Sequence, residues 1–288
     1  MPHRPEDYDS RRWIQWCPGC GNYAILVAFR QALAELDLDP EEIVVITGIG
    51  CYGRMNNYVV ANGFHVIHGR PIPVATGVKL ANPRLTVYAF SGDGDAYAIG
   101  ISHLPHVARR NVGIKLIVHN NAVYGLTRGQ VSPTSPKGMR TKTTPKGAVV
   151  EPINPIALVL ASGATFVARG FAGDVQHLKY LIVEATRHRG FAFIDILQPC
   201  VTYNYIYTYQ YFRQRVYKLE DEGHDPTDFN AAWEKAWEWG DRIPIGIIYR
   251  REDKPALEEV LPALKEKPLV EHNLEGIDVK KLLDEHTI

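Results

Sequence analysis

The four cysteines of this 288-residue chain are its most reactive side chains. Cys17 and Cys20 stand in the segment WCPGCGN, Cys51 follows the glycine-rich segment TGIG, and Cys200 follows ILQP. A CxxC pair can be a redox dithiol, half of a zinc site or half of an iron–sulfur site. A lone cysteine is more often a small apolar core residue, and this interpretation applies best to Cys200.

The surroundings of the cysteines bear on these alternatives. A thioredoxin-like dithiol opens a helix after a strand, whereas Cys17 and Cys20 follow a polar N-terminal arm. Structural zinc sites usually combine two close pairs of ligands, and this sequence has one such pair. Iron–sulfur clusters accept widely separated ligands, so the four cysteines also fit a [4Fe–4S] cluster. The residues alone leave the choice open.

A second group of residues could bind a phosphate and a metal ion. The segments TGIGCYG, SGDGDA and HNNAVYG each follow an apolar run, and in parallel sheets ligands bind beyond the carboxyl ends of strands. Glycine lets the backbone approach an anion closely. Asp93 offers a carboxylate and Asn121 a neutral oxygen, and Mg²⁺ takes few protein oxygens when phosphates complete its shell. GDG alone is a common turn, but the combined pattern predicts a magnesium–diphosphate site.

Helices and strands that would position these residues alternate along the chain. Residues 22–38 have apolar residues at helical spacing, and the β-branched runs before the three glycine-containing segments predict strands. We expect Asp95 to be the N-cap of a following helix. Alternating strands and helices predict an α/β fold, a mostly parallel sheet with helices on both faces. We predict a core at residues 1–203 and an aromatic, charged C-terminal tail at 204–288 that packs on the core or a partner.

Composition excludes several classes of protein. Lysine plus arginine and aspartate plus glutamate both number 32, so no global basic field favours nucleic acid. No apolar run approaches the ~20 residues of a membrane helix, and the polar N-terminus does not resemble a signal peptide. We therefore expect a cytoplasmic protein without a membrane or nucleic-acid partner. In that compartment four cysteines argue against a disulfide framework.

Several segments together resemble the β subunit of the 2-oxoacid:ferredoxin oxidoreductases. These segments are, in order, WCPGCGN, GIGCYGRM, HGRPIPVATGVKLANP, FSGDGDAYAIG, NNAVYGLTRGQVSPTS and ILQPC, and they cover about residues 12–203. The resemblance implies a thiamine-diphosphate-binding fold of the diphosphate type. It also implies oxidative decarboxylation of a 2-oxoacid to an acyl-CoA and CO₂, with electrons passing through one [4Fe–4S] cluster to ferredoxin. The same chemistry can run in reverse as reductive carboxylation.

The resemblance also implies roles for individual residues. The cluster would be held by Cys17, Cys20, Cys51 and Cys200, and the Mg²⁺ by Asp93, Asn121 and the carbonyl of Val123. The expected cofactor-binding residues are Gly50, Cys51, His68, Gly69, Gly92, Asp93, Gly94, Asp95, Asn121, Val123, Tyr124, Gly125 and Leu126. The expected catalytic residues are Arg128 and His68.

One departure from the family pattern bears on the substrate. The family often has lysine in the segment YGLTKGQ, whereas this chain has Arg128. A guanidinium can bind a carboxylate through two hydrogen bonds, while an ammonium acts as a point charge. We therefore favour 2-oxoglutarate, with a pyruvate or broad-specificity enzyme as the alternative.

The chain has a single diphosphate-type module, which implies a partner. We expect a larger α subunit, or α and γ subunits, that carries the pyrimidine-binding domain and the coenzyme A site, with ferredoxin as the electron acceptor. A non-redox thiamine-dependent decarboxylase subunit is a second hypothesis, although it has no use for four ligating cysteines. A non-catalytic zinc-stabilised or electron-transfer module is a third.

Overall fold

Helices and strands alternate along most of the chain in this computed structural model, which describes residues 2–273, 275 and 278–286. The strands are β1 Ile43–Thr47, β2 Asn62–His65, β3 Thr86–Gly92, β4 Ile114–Asn120, β5 Val123–Tyr124, β6 Gln130–Val131, β7 Phe166–Phe171, β8 Ala192–Leu197, β9 Val216–Lys218 and β10 Ile243–Arg250. The α-helices are α1 Gly21–Glu35, α2 Met55–Tyr58, α3 Pro71–Ala81, α4 His103–Arg110, α5 Pro155–Ala161, α6 Val175–Arg187, α7 Tyr209–Arg213, α8 Phe229–Trp237, α9 Leu257–Val260 and α10 Val279–His286. Short 3₁₀ helices are Pro5–Tyr8, Pro40–Glu42, Cys51–Arg54, Glu220–Glu222, Pro262–Leu264 and Leu269–Glu271, and Asp95–Ile99 is a π-helix.

Eight strands form one sheet in the order β2-β1-β3-β4-β8-β7-β10-β9. The pairs from β2 to β7 are parallel, whereas β10 runs antiparallel to β7 and β9 runs parallel to β10. The predicted mostly parallel α/β fold is confirmed. From β1 the chain first adds β2 on one side and then β3 on the other, so the carboxyl ends of β1 and β3 flank a topological switch point, where such sheets bind ligands.

Helices cover both faces of the sheet. One face packs mainly on α1 and α6 and the other on α3, α4, α5 and α8, and each interface is an apolar core. Strands covered on both sides need apolar side chains in both directions, which explains the continuous apolar runs in the sequence. Within the described residues, no helix has both the length and the apolar character that crossing a bilayer requires.

Two further features refine the element predictions. The residue expected to cap a helix, Asp95, instead begins a π-helix whose N-cap is Gly94, without a side-chain cap, so that prediction is wrong. The segment after residue 203 supplies β9 and β10 to the large sheet and α8 to one of its faces. The division into a core at 1–203 and a tail at 204–288 stays a prediction.

Candidate active site

The carboxyl ends of β1, β3 and β4 enclose a cavity of about 240 Å³, here called the first cavity. Of the residues expected to bind a cofactor, those that line it are Gly50, Cys51, His68, Gly92, Asp93, Gly94, Asp95, Asn121, Val123, Tyr124, Gly125 and Leu126. Its lining does not include Gly69 or Arg128. It does include five residues that were not expected there, namely Ile49, Tyr52, His119, Thr127 and Gln198.

Asp93 is a carboxylate at the base of this cavity with only 2% of its surface exposed. It accepts hydrogen bonds from the Thr134 hydroxyl at 3.0 Å and from the Asn121 backbone amide at 3.4 Å. Burial raises the pKa of Asp93 to about 6, despite these donors. In the described part of the chain no lysine, arginine or histidine forms an ion pair with it. A buried carboxylate without a cationic neighbour fits a divalent cation.

The segment after β4 brings Asn121 and Val123 to the cavity that Asp93 lines. The Asn121 side-chain oxygen accepts a hydrogen bond from the Val123 backbone amide at 3.0 Å, which closes a short turn. Ala122, within that turn, has a left-handed φ of 56°. The turn lets Asn121 and Val123 line the same cavity as Asp93, as the predicted magnesium site requires.

The glycines of the GDG segment make room for two tyrosine rings. A Cβ at Gly92 would lie 2.8 Å from Cε1 of Tyr52, and one at Gly94 would lie closer still to Cε1 of Tyr124. Both contacts are shorter than real Cβ atoms make, so larger residues would displace the rings from the cavity wall. From the sequence, we expected glycine at these positions only because it lets a phosphate approach the backbone. Close packing against the two tyrosine rings is a second reason why both positions are glycine.

Asp95 holds the segment that carries His68. Its carboxylate accepts hydrogen bonds from the Gly69 backbone amide and the Ser91 hydroxyl, both at 2.6 Å. Nδ1 of His68 lies 2.7 Å from the same carboxylate, at ion-pair distance but without hydrogen-bond alignment. Gly69 has a φ of 77°, a conformation that favours glycine. Asp95 therefore positions His68 beside the cavity, and Gly69 acts through its backbone.

All four cysteines line a second cavity of about 230 Å³. A Cβ at Gly125 would lie 3.6 Å from Sγ of Cys51 and 3.9 Å from Sγ of Cys200, so a side chain there would be in van der Waals contact with both sulfurs. Sγ of Cys20 accepts a hydrogen bond from the Gln198 side chain at 3.4 Å. All four cysteines are free thiols, and Cys17 is the exposed one.

The thiols surround the second cavity without meeting at a point. Within the described ranges, no three or more histidine, cysteine, aspartate or glutamate side chains converge closely enough to hold a single metal ion. Burial, with the neighbouring thiols adding to it, raises the pKa of Cys20 to about 12 and that of Cys51 to about 11. Such thiols stay protonated unless a cationic centre binds them, because a metal-bound thiol is deprotonated.

The first and second cavities share a wall. Cys51, Asn121, Gly125, Leu126 and Gln198 line both of them. A group bound among the cysteines would therefore be a direct neighbour of a group bound at the strand ends.

His119 is a site residue that sequence reasoning missed. It is 1% exposed, its Nδ1 lies 2.8 Å from the side-chain oxygen of Asn22, and burial lowers its pKa to about 3. It is thus neutral, and its Nε2 has no hydrogen-bond partner in the described part of the chain. A polar residue within the apolar run of β4 was the available signal, but its partner is 97 residues away in sequence.

Arg128 lies at the exposed rim. Its backbone amide donates to the carbonyl of Gly125 at 3.1 Å, and its φ of 79° is unfavourable for residues other than glycine. Thr127 and Gln130, joined by a side-chain hydrogen bond at 2.6 Å, fix the loop on either side. The turn places the guanidinium outside the cavity lining, so a direct catalytic role would require a substrate that extends to the rim.

Comparison with known proteins identifies the family. A family model described as the thiamine pyrophosphate enzyme C-terminal TPP-binding domain matches residues 48–196, and one described as the C terminal of the pyruvate ferredoxin oxidoreductase beta subunit matches 200–266. The 2-oxoacid:ferredoxin oxidoreductase subunit beta of Saccharolobus solfataricus is 51% identical over 83% of each chain. The 2-oxoglutarate oxidoreductase subunit KorB of Mycobacterium tuberculosis is 46% identical over 71% of this chain and 55% of that one.

A solved structure agrees with these matches. The 2-oxoglutarate:ferredoxin oxidoreductase from Magnetococcus marinus, solved with 2-oxoglutarate, coenzyme A and succinyl-CoA bound, gives a TM-score of 0.90 at 40% identity, covering 99% of this chain and 97% of that one. The fold and the first family match define an enzyme of the thiamine-diphosphate-binding class. Within that class, the chain belongs to the β subunits of the 2-oxoacid:ferredoxin oxidoreductases, which confirms the resemblance seen in the sequence.

Proposed function

We propose that this β subunit binds magnesium thiamine diphosphate in the first cavity and a [4Fe–4S] cluster in the second, and that its substrate is 2-oxoglutarate. The observation that carries the proposal is the shared wall, in which Cys51 and Gly125 line both cavities. Thiamine diphosphate, when bound, supplies the electron sink for decarboxylation of a 2-oxoacid. Electrons released at the first cavity would then have a short path to the second.

The proposed magnesium ligands are Asp93, Asn121 and the carbonyl of Val123. Support comes from the carboxylate of Asp93, which is buried and has no ion-pair partner among the residues that the structure describes, and from the turn that brings Asn121 and Val123 to the same cavity. The other lining residues are proposed to contact the diphosphate and thiazolium, with His68 positioned by Asp95. Gly69 would contribute by holding that segment, since it does not line the cavity.

The proposed cluster ligands are Cys17, Cys20, Cys51 and Cys200. Support comes from their common cavity and from their spread, since a cluster is held by four thiolates around several irons. Burial would shield the cluster on the side of Cys20 and Cys51, and exposed Cys17 marks the side nearest to solvent. An electron acceptor, proposed to be ferredoxin, would dock on that side.

The substrate and the partner are inferred from the relatives. Relatives named for 2-oxoglutarate are 42–46% identical to this chain, and the structure from Magnetococcus marinus holds 2-oxoglutarate and coenzyme A. A second carboxylate on the substrate, if it extended to the rim, would bind the guanidinium of Arg128. We propose a partner α subunit, alone or with a γ subunit, that covers the exposed Leu126 at the cavity mouth and supplies the pyrimidine-binding domain and the coenzyme A site.

The substrate proposal is tested by Arg128→Ala in the complex of this chain with its co-purifying partner. We expect kcat/KM for 2-oxoglutarate to fall about tenfold or more, because a charge-assisted hydrogen bond is lost, while turnover of pyruvate changes little. Coenzyme A-dependent reduction of ferredoxin, followed spectrophotometrically, gives both rates.

A matched control is Arg140→Ala, which removes another exposed arginine from the following loop. Equal losses with both substrates would contradict a role for Arg128 in binding a second carboxylate. If neither substrate reduced ferredoxin in the unmodified complex, the proposed activity itself would be wrong.

A further inference from the structure

A third cavity, of about 200 Å³, lies beside the carboxyl ends of β4 and β8 and shares no lining residue with the other two. Its walls are largely apolar and aromatic, with contributions from Ile153, Leu197, Tyr207, Phe212 and Trp239. An engineered apolar cavity of about 150 Å³ binds benzene, so a space of this size accommodates one aromatic ring. The proposed reaction uses none of these side chains.

The buried cation in this cavity is Arg169. It is 2% exposed, and its Nη1 donates to the carbonyl of Pro244 at 3.2 Å. Its Nε is buried without a hydrogen-bond partner, and no carboxylate among the described residues forms an ion pair with it. The guanidinium carbon lies 5.4 Å from the centre of the Trp239 ring. A guanidinium has five N–H donors, and a buried charge is unfavourable unless a counter-ion compensates it.

The nearby carboxylates are already engaged. Asp195 lies opposite Arg169 in the β7–β8 register and its charge favours the guanidinium, but its hydrogen bonds come from the Tyr97 hydroxyl at 2.6 Å and the Asn120 side chain at 3.2 Å. Glu238 accepts hydrogen bonds from Lys235 and from the Tyr217 hydroxyl, both at 2.8 Å. The described residues therefore supply a guanidinium, apolar walls and the nearby negative charge of Asp195, but no carboxylate that accepts a hydrogen bond from the guanidinium.

We propose that this third cavity is a binding site for a small organic carboxylate with a flat apolar body. The carboxylate would accept hydrogen bonds from Arg169, whose planar fork matches two carboxylate oxygens. The apolar body would lie among Tyr207, Phe212 and Trp239. Inorganic anions match the charge but not these walls, because they have no apolar surface to bury there.

This site is independent of the proposed reaction, although a hydrogen-bonded chain connects the two. Asn120 donates to Asp195 in the wall of the third cavity and accepts from Thr134, and the Thr134 hydroxyl also contacts Asp93. A ligand beside Asp195 would therefore lie against the network that fixes the proposed magnesium ligand. It would not need to enter the first cavity.

The test uses phenylacetate and its uncharged analogue phenylacetamide with the assembled enzyme. We expect phenylacetate to bind and change tryptophan fluorescence, because Trp239 borders the site. The amide should bind at least about tenfold more weakly, since it lacks the charge. Arg169→Met should abolish the preference for the carboxylate, and in calorimetry saturating magnesium thiamine diphosphate should not displace phenylacetate, because the two cavities share no lining residue.

Two further variants keep the test informative if Arg169→Met does not fold. Arg169→Lys keeps the charge and should retain part of the preference, and Trp239→Ala should weaken phenylacetate and phenylacetamide alike. Equal affinity for the two probes would overturn the proposal. Absence of phenylacetate binding to the assembled enzyme would also overturn it.

Discussion

At the scale of single residues, Asp93 is an example of a site residue that could be predicted from the sequence. GDG after one apolar run and NN after the next predicted which residues meet at the first cavity, because parallel strand ends share one edge of the sheet. The role of Asp95 could not be inferred in this way. Its partners, Gly69 and Ser91, are brought together only by the folded chain, and the same holds for His119 and Asn22.

Replacing Asp93 with asparagine tests its proposed role as a magnesium ligand. The change keeps the shape of the side chain and removes its charge, so we expect thiamine diphosphate binding in the presence of Mg²⁺ to weaken at least tenfold. The melting temperature without the cofactor should not fall, because burial already disfavours the charged carboxylate. Calorimetry and thermal denaturation give the two quantities.

The matched control is Asp241→Asn, at an exposed position in the loop before β10. That substitution should leave the affinity for magnesium thiamine diphosphate unchanged. Unchanged affinity in Asp93→Asn as well would remove this residue from the proposed magnesium site.

At the scale of helices and strands, periodicity predicted the alternation but not the order of the sheet. The antiparallel β10 and the edge strand β9 come from the aromatic, charged segment after residue 203, where no clear alternation marks strands. The π-helix after β3 also lacks a signal, since it depends on the anchoring of Asp95 by more distant groups. Tertiary contacts, rather than local pattern, determine these elements.

Asn111 is a residue on which several elements depend. It ends α4 with a left-handed φ of 54° and is fully buried. Its side-chain oxygen accepts from the Thr165 hydroxyl at 2.7 Å and the Phe191 amide at 2.9 Å, and its side-chain nitrogen donates to the carbonyls of Lys254 and Pro255 at 3.0 Å. One amide therefore joins α4, the starts of β7 and β8, and the C-terminal segment.

Asn111→Ala should accordingly lower the free energy of unfolding by about 3 kcal/mol, because it leaves buried polar groups unpaired and places alanine in a left-handed conformation. Urea denaturation of the holoenzyme measures this change. The control is Asn273→Ala, whose side chain is exposed and accepts one backbone hydrogen bond, and it should cost less than about 0.5 kcal/mol. A loss of that small size in Asn111→Ala would contradict the role given to this amide.

At the scale of the whole molecule, the cysteines come together from three distant parts of the chain. The N-terminal arm carries Cys17 and Cys20, and among the long-range contacts that hold it in place, two lie beside the cysteines. The indole N–H of Trp16 donates to the carbonyl of Cys51 at 2.6 Å, and the backbone amide of Gly21 donates to the carbonyl of Pro199 at 3.3 Å. Spacing alone left a dithiol, a zinc site and a cluster open, because these long-range contacts are not visible in the sequence.

The proposed electron path depends on what these thiols hold. The most direct test is to purify the chain without oxygen, together with its co-purifying partner, and to measure iron, acid-labile sulfide and zinc per β chain. Electron paramagnetic resonance after reduction with dithionite completes the measurement. The cluster proposal predicts about four irons and four sulfides held by this chain, with a signal that appears on reduction.

Because the partner could carry clusters as well, a variant of the β chain is needed to show how much of the iron this chain holds. Cys51→Ser should lower the iron content by about four per β chain while thiamine diphosphate remains bound. One zinc per chain, or no metal, in protein that still holds thiamine diphosphate would contradict the account. The cysteines would then be structural, and the chain would be a non-redox decarboxylase subunit.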